Sequence, residues 1–123
     1  MEKRFLIAGS IFGGIAVALG AFGAHALKNM LSEQNLRIFH TAVEYQFYHA
    51  LALLITGIVG GKIRNKQINW SGNLFIAGII LFSGSLYCLS AFENLSWVGM
   101  LTPVGGLCLI TGWLMLFLSS LKK

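Results

Sequence analysis

Charged side chains are scarce in this sequence. Asp, Glu, Lys and Arg make up 11% of the 123 residues, and only 4 residues are acidic. A water-soluble helical bundle needs a polar outer face on each helix. The few charges instead fall almost wholly between apolar segments, so the sequence argues against a soluble bundle.

Cysteine and proline are also rare, with 2 and 1 residues. Cys88 and Cys108 form no C-x-x-C motif and fall at different depths, which argues against a disulfide or a redox centre. No nucleophile has an evident base partner, so we predict that the protein is not an enzyme. A metal site from His25, His40 and Glu44 lacks a diagnostic spacing, and we predict neither a metal nor a cofactor.

Apolar residues dominate what remains. Four segments, 5–27, 41–60, 70–92 and 97–121, are each close to the ~20 residues that a helix needs to cross a bilayer. Continuously apolar, glycine-containing segments do not fit the alternation of a membrane β-barrel. The sequence therefore predicts one all-α transmembrane domain over residues 1–123, folded as a four-helix antiparallel bundle. Its predicted surroundings are the lipid bilayer.

The basic residues predict an orientation. They collect on one side of the predicted spans, with Lys3, Arg4, Lys62, Arg64, Lys66, Lys122 and Lys123 there against Lys28 and Arg37 on the other. Lys and Arg are enriched in cytoplasmic loops, so both termini are predicted to be cytoplasmic. The basic excess indicates topology and not a nucleic-acid partner, and residues 62–66 are placed to contact anionic headgroups.

Small residues mark the helix faces that we expect to pack. In the first helix Gly9, Gly13 and Gly20 share one stripe, and Gly105 and Gly112 share another in the fourth. Membrane helices approach closely at such positions because dispersion contacts between backbones exceed those with lipid. These glycines are interpreted as helix-packing residues, not as a phosphate-binding loop.

Two local signals concern helix ends and bends. Ser32 is a candidate N-cap, which predicts that the second helix begins at about Glu33, outside the apolar core. Pro103 lies about two turns into the fourth predicted helix. It should deprive the Gly99 carbonyl of its partner and kink or loosen that turn.

The second helix carries the most unusual polar residues. On a helical projection Gln46 and His49 share a small, polar face, so we expect both to point into the bundle. With alternating helix directions, several polar side chains come to the outer half: His25, Gln46, His49, Ser83, Ser85, Tyr87 and Thr102. They predict a polar pocket open to the outside. The alternative is that these groups satisfy one another as hydrogen bonds between helices.

Glu44 falls on the opposite face of the same helix, about one turn below the outer surface. It is predicted to reach the interface and to pair with His40, four residues earlier. The competing interpretation is a proton carrier, since an acidic residue inside a membrane is a functional candidate by default.

Four motifs resemble one family. These are Gly20-Ala-Phe-Gly-Ala-His25, Glu44-Tyr-Gln-Phe-Tyr-His49, Phe82-Ser-Gly-Ser-Leu-Tyr87 and Thr102-Pro-Val-Gly-Gly106. Together they resemble the YgdD/YwdK-type small bacterial membrane proteins, a family of unknown function, along nearly the whole chain. The resemblance implies four spans in the bacterial cytoplasmic membrane, and it implies no reaction, substrate or cofactor.

Three functions are compatible with these features. The first is a binding or helper module that docks other membrane proteins or a small amphiphile at the outer pocket. The second is a minimal transporter or channel for protons, metal ions or a small solute, which would require a homo-oligomer because four short-looped helices enclose little volume. The third, an enzyme acting on lipid, would require turnover that depends on His25 or His49.

Overall fold

The protein consists of four long helices. The computed structural model describes residues 2–92 and 94–122, and in those ranges the regular structure is helical. We number the helices α1 (Lys3–Leu27), α2 (Glu33–Val59), α3 (Lys66–Ala91) and α4 (Ser96–Leu121), and all four are long and apolar enough to cross a membrane. The prediction of four apolar helices is confirmed. The helices begin somewhat before the predicted spans, most of all α2.

Side-chain caps fix where α2 and α3 begin. The Ser32 hydroxyl accepts a hydrogen bond from the backbone N–H of Asn35 at 3.1 Å, which confirms the predicted cap. Asn65 caps α3 in the same way, accepting from the N–H of Ile68 at 3.0 Å. Both caps satisfy a donor that the first helical turn leaves without an intrahelical partner.

Irregular turns occur in three of the helices. π-helical turns occupy Leu19–Gly23 in α1 and Ile79–Ser83 in α3, and α4 opens with a 3₁₀ turn at Ser96–Met100. The regular part of α4 starts at Leu101, so Pro103 lies in its first turn. A first-turn residue has no intrahelical N–H partner to lose. Pro103 thus lies about two turns into α4, as expected, but its position in the first regular turn removes the reason to expect a kink.

Glycines set the spacing between α1 and α2. A Cβ atom built on Gly9 would lie 2.9 Å from the carbonyl oxygen of Ala50, and one on Gly20 would lie 3.2 Å from a methyl group of Val43. At Gly13 the same atom would lie 3.7 Å from the Cβ of Ala50, an ordinary contact. Of these three glycines, Gly9 is packed most tightly against α2.

The α3–α4 interface is tighter still. A Cβ on Gly105 would collide with the backbone nitrogen of Phe82, and one on Gly112 would come within 2.8 Å of the Phe75 ring. The side chain of Leu109 on α4 packs against Gly78 on α3. Backbones that approach this closely gain dispersion contacts along both helices.

The buried core joins the α1–α2 pair to the α3–α4 pair. It contains Phe5, Ala52, Leu53, Phe75, Ile79 and Leu109. The outside of the bundle is apolar as well: Ile11, Ile110 and Phe117 are each more than half exposed. So large an apolar exterior suits lipid and would be unfavourable in water.

Candidate functional site

His49 is held by hydrogen bonds at both ring nitrogens. Nδ1 lies 2.7 Å from the carbonyl oxygen of Tyr45, one turn earlier in α2. The indole N–H of Trp113, on α4, donates to Nε2 at 3.0 Å. A carbonyl only accepts and an indole N–H only donates, so the imidazole is neutral with its proton on Nδ1. His49 is 6% exposed, and thus lies inside the bundle.

Gln46 links three helices. Its Nε2 donates to the carbonyl oxygen of Phe12 on α1 at 2.8 Å, and its Oε1 accepts from the hydroxyl of Tyr87 on α3 at 2.6 Å. Both ends of the amide are therefore used. A satisfied amide in an apolar interior holds its neighbours in one register.

Serines and a threonine join α3 to its neighbours. Ser83 donates to the carbonyl oxygen of Ala42 on α2 at 2.7 Å. The Ser85 hydroxyl lies beside the carbonyl oxygen of Phe82 and is hydrogen-bonded to Thr102 of α4. Ser83 is the last residue of the π turn, and Ser85 follows two residues later.

Two sequence expectations do not match the structure. His25 is exposed near the end of α1 and lies apart from the other six polar residues. Glu44 accepts from the Tyr48 hydroxyl at 3.4 Å, one turn toward the helix C-terminus, whereas no hydrogen bond to His40 is present among the described contacts. Both His40 and Glu44 are exposed. The other six residues make hydrogen bonds between helices, as in the alternative interpretation of the sequence.

A recess does lie beside His49, but on the side of the bundle. Its volume is about 450 Å³, and its walls come from the middle of α2, α3 and α4: Tyr45, His49, Phe82, Gly106, Leu109, Ile110 and Trp113. Three of these residues, Tyr45, Ile110 and Trp113, are also exposed on the outer surface. The opening therefore faces the lipid and not an aqueous end of the bundle.

The recess wall is rich in rings. The Tyr45 ring lies 4.7 Å from that of Phe82 and is stacked at 6.1 Å on the imidazole of His49. Trp113 meets His49 edge-on at 5.9 Å between ring centroids. Offset and edge-to-face ring contacts are favourable. Sequence reasoning missed Tyr45 and Trp113 here, although an indole N–H deep in an apolar helix is a sign that an acceptor must face it.

The described residues offer few groups for metal binding or thiol chemistry. Among residues 2–92 and 94–122, no group of three or more His, Cys, Asp or Glu side chains is placed to hold a metal ion. Cys88 and Cys108 are free thiols. Within the same residues, Gln67 Oε1 is the one buried side-chain polar atom that has no hydrogen-bond partner. A mostly apolar recess of this size with a few polar groups has the character of a small-molecule site.

Comparison with known proteins establishes the family. The family described as Protein of unknown function (DUF423) matches residues 19–106. The chain belongs to the DUF423 family. Its relatives include the UPF0382 membrane protein YwdK of Bacillus subtilis (strain 168), 41% identical over 121 residues that cover 98% of each protein. A UPF0382 membrane protein of Staphylococcus saprophyticus is 45% identical over 120 residues, again 98% of each.

Membership in the DUF423 family confirms the resemblance to YgdD/YwdK-type proteins. It also confirms the prediction that the chain is a membrane protein. A third relative, from Staphylococcus haemolyticus, is 43% identical over 98% of this chain and 97% of its own, and it too is named a membrane protein. No solved structure matches the chain. The match of residues 19–106 includes most of the recess wall, from Tyr45 to Gly106.

Proposed function

We propose that this protein is a binding module of the bacterial cytoplasmic membrane, and that it takes a small amphiphile with a planar ring into the recess beside His49. The observation that carries the proposal is the recess of about 450 Å³ at mid-helix, with rings on its walls. Ligand pockets typically have volumes of ~300 to 1,000 Å³ and mostly apolar linings.

The chemistry of the wall suggests which part of the ligand goes where. Tyr45, Phe82 and Trp113 offer ring faces and edges to a planar group. Leu109 and Ile110 offer aliphatic surface to an apolar tail. The side opening would let the ligand enter from the acyl chains without crossing water, which suits a molecule dissolved in the membrane.

The charge distribution supports an orientation for this module. Basic residues at the predicted cytoplasmic side include Lys3, Arg4, Arg64 and Lys66, and the opposite side has Lys28 and Arg37. Under the positive-inside rule both termini lie in the cytoplasm. The recess would then lie within the bilayer, between the two surfaces.

Filling the recess should abolish binding. The Cβ of a residue at position 106 would lie 3.8 Å from the Phe82 ring, so Gly106→Leu places a larger side chain against that wall without touching the His49 hydrogen bonds. Gly14→Leu is the matched control, because a Cβ there meets nothing within 4 Å. Wild type, Gly106→Leu and Gly14→Leu would be purified in mild detergent and extracted with organic solvent.

We expect mass spectrometry to find one small molecule, near one per chain, in the wild-type and Gly14→Leu extracts and not in the Gly106→Leu extract. Equal amounts in all three extracts, or none in any, would contradict the proposal. Ion or solute flux in liposomes that His49→Ala abolishes would favour the transport function instead.

A further inference from the structure

The helix ends near the termini carry a polar surface far from His49. Two recesses adjoin there. The larger, of about 410 Å³, has Glu2, Arg64, Lys66 and Asn69 on its walls. The smaller, of about 220 Å³, is lined by Lys66, Asn69, Trp70 and Asn73. Lys66 and Asn69 line both, so the two recesses lie side by side at the start of α3, and we refer to them together as the depression.

Arg4 fixes the direction of two amide groups in this depression. Its guanidinium donates to Oδ1 of Asn73 at 3.0 Å and to Oδ1 of Asn69 at 3.3 Å. Since the oxygen of each amide faces Arg4, its NH₂ group faces the other way. The amide oxygens of Asn69 and Asn73 are thus used by Arg4, and their NH₂ groups remain available as donors. Both side chains line the smaller recess together with Lys66.

The charge balance of the depression is positive. Arg64 and Lys66 line it with two positive charges and Glu2 with one negative charge, and Arg4, bound to Asn69 and Asn73, adds a third positive charge beside it. The Glu2 carboxylate lies 3.7 Å from Nε of Arg4, which partly offsets it. Lysine ammonium and amide N–H groups are donors that phosphate oxygens accept from. An anion, and not a cation, fits this lining.

Trp70 favours a lipid headgroup, and not a free phosphate ion, as the source of the phosphate group. It is 60% exposed and lies in the first turns of α3, beside Lys66 and Asn69. Tryptophan is enriched at the level of lipid headgroups, where its ring is half in the apolar layer. A ligand touching Trp70 and Lys66 together would have both an apolar part and a phosphate.

We propose that Lys66, Asn69, Trp70 and Asn73, with Arg64 beside them, form a binding site for the phosphate headgroup of an anionic phospholipid. The site is separate from the recess at His49 and does not depend on its occupant. Its role is to hold one lipid at a fixed position against the start of α3, in the leaflet next to the termini.

The experiment measures lipid affinity by native mass spectrometry, with phosphatidylglycerol as the probe and phosphatidylcholine as the neutral comparison. The test variant is Lys66→Gln/Asn73→Asp. Asp at position 73 keeps an oxygen for Arg4 but replaces the outward donor with a negative charge. The control is Lys28→Gln/Asn29→Asp, the same chemical changes at the other end of α1, where both residues are exposed. Far-UV circular dichroism and thermal unfolding establish that each variant is folded.

We expect phosphatidylglycerol to bind the test variant roughly thirtyfold more weakly than wild type, and the control to bind as wild type does. Equal weakening in both variants would show attraction to net charge alone and would overturn the site. So would unchanged binding in the test variant. If soluble glycerol phosphate displaces the lipid at a similar concentration, the site takes a free phosphate and the lipid assignment is wrong. Should the double variant not fold, Lys66→Gln alone, at an exposed side chain, gives the same comparison with Lys28→Gln.

Discussion

His49 and Trp113 each supply the hydrogen-bond partner that the other lacks in an apolar environment. Hydrocarbon offers no acceptor to an indole N–H and no donor to an imidazole nitrogen, and a buried group left alone carries its full desolvation penalty. The 3.0 Å bond from Trp113 Nε1 to His49 Nε2 satisfies both groups at once. It also ties α2 to α4 at the level of the recess.

Removing the indole N–H should therefore destabilise the bundle. Trp113→Phe keeps a ring against Phe75, whose centroid lies 5.2 Å away, but leaves Nε2 of His49 without its donor. We expect a loss of about 1 kcal/mol in the free energy of unfolding, measured by SDS titration in mixed micelles. Trp97→Phe, at a ring that is 62% exposed, should change it little.

The same substitution in a His49→Phe background distinguishes the hydrogen bond from ring packing. If the bond carries the effect, Trp113→Phe costs clearly less there than in wild type. Equal costs in the two backgrounds would contradict the assigned interaction.

The helical projection of α2 placed Gln46 and His49 inside the bundle, and both are buried at 3% and 6% exposure. Their partners could not be predicted in the same way. Which carbonyl Gln46 reaches, and whether Trp113 turns toward His49, depend on helix rotations of a few degrees that no periodicity encodes. His25 is exposed, because its depth along α1 does not determine which way the end of that helix faces.

Like these hydrogen-bond partners, the π turns could not be predicted from the sequence. Leu19–Gly23 and Ile79–Ser83 have no local sequence signature, since a π turn is one extra residue accommodated where packing on both sides is already fixed. The helices themselves and the Ser32 cap were predictable, because apolar length and capping chemistry are local properties. Irregularity inside a helix is set by its neighbours.

A glycine in a small-residue stripe does not always lie against the backbone of another helix. Gly13 and Gly105 both belong to small-residue stripes, but only Gly105 meets backbone atoms of a neighbouring helix, at Phe82 and Leu81. Backbone cannot rotate aside as a side chain can. Gly105 is therefore the more constrained position.

Alanine at these two glycines should separate the two cases. Gly105→Ala should force α3 and α4 apart and lower the free energy of unfolding by about 1 to 3 kcal/mol. Gly13→Ala, with 3.7 Å to the nearest Cβ, should be close to neutral or stabilising. Thermal unfolding followed by circular dichroism in detergent measures both. Similar melting temperatures for the two variants would contradict the interface geometry.

The molecule as a whole is apolar around its sides and charged at its ends. Exposed aliphatic and aromatic side chains cover all four helices, and the basic residues cluster beyond them. Such a distribution fixes the depth of a protein in a bilayer, while the difference in Lys and Arg content between the two ends selects its direction.

Cysteine labelling tests that direction. In a Cys88→Ala/Cys108→Ala background, Asn29→Cys should react with a membrane-impermeant maleimide added to intact spheroplasts. Lys62→Cys should react only after lysis, because the positive-inside rule predicts a cytoplasmic position for the connection between α2 and α3. Both positions are exposed, so access decides the result. The reverse pattern would invert the proposed topology, and labelling of both in intact cells would indicate mixed insertion.

The beginning of the chain is anchored to its third helix. Arg4 binds Asn69 and Asn73, and Phe5 is fully buried against Gly72. During translation Arg4 and Phe5 leave the ribosome long before α3 exists, so their contacts with α3 are missing while α1 and α2 insert. Phe5 shares the core with Ala52 and Leu53 of α2, but both amide partners of Arg4 lie on α3. The start of α1 therefore reaches its final set of contacts only after α3 has been inserted.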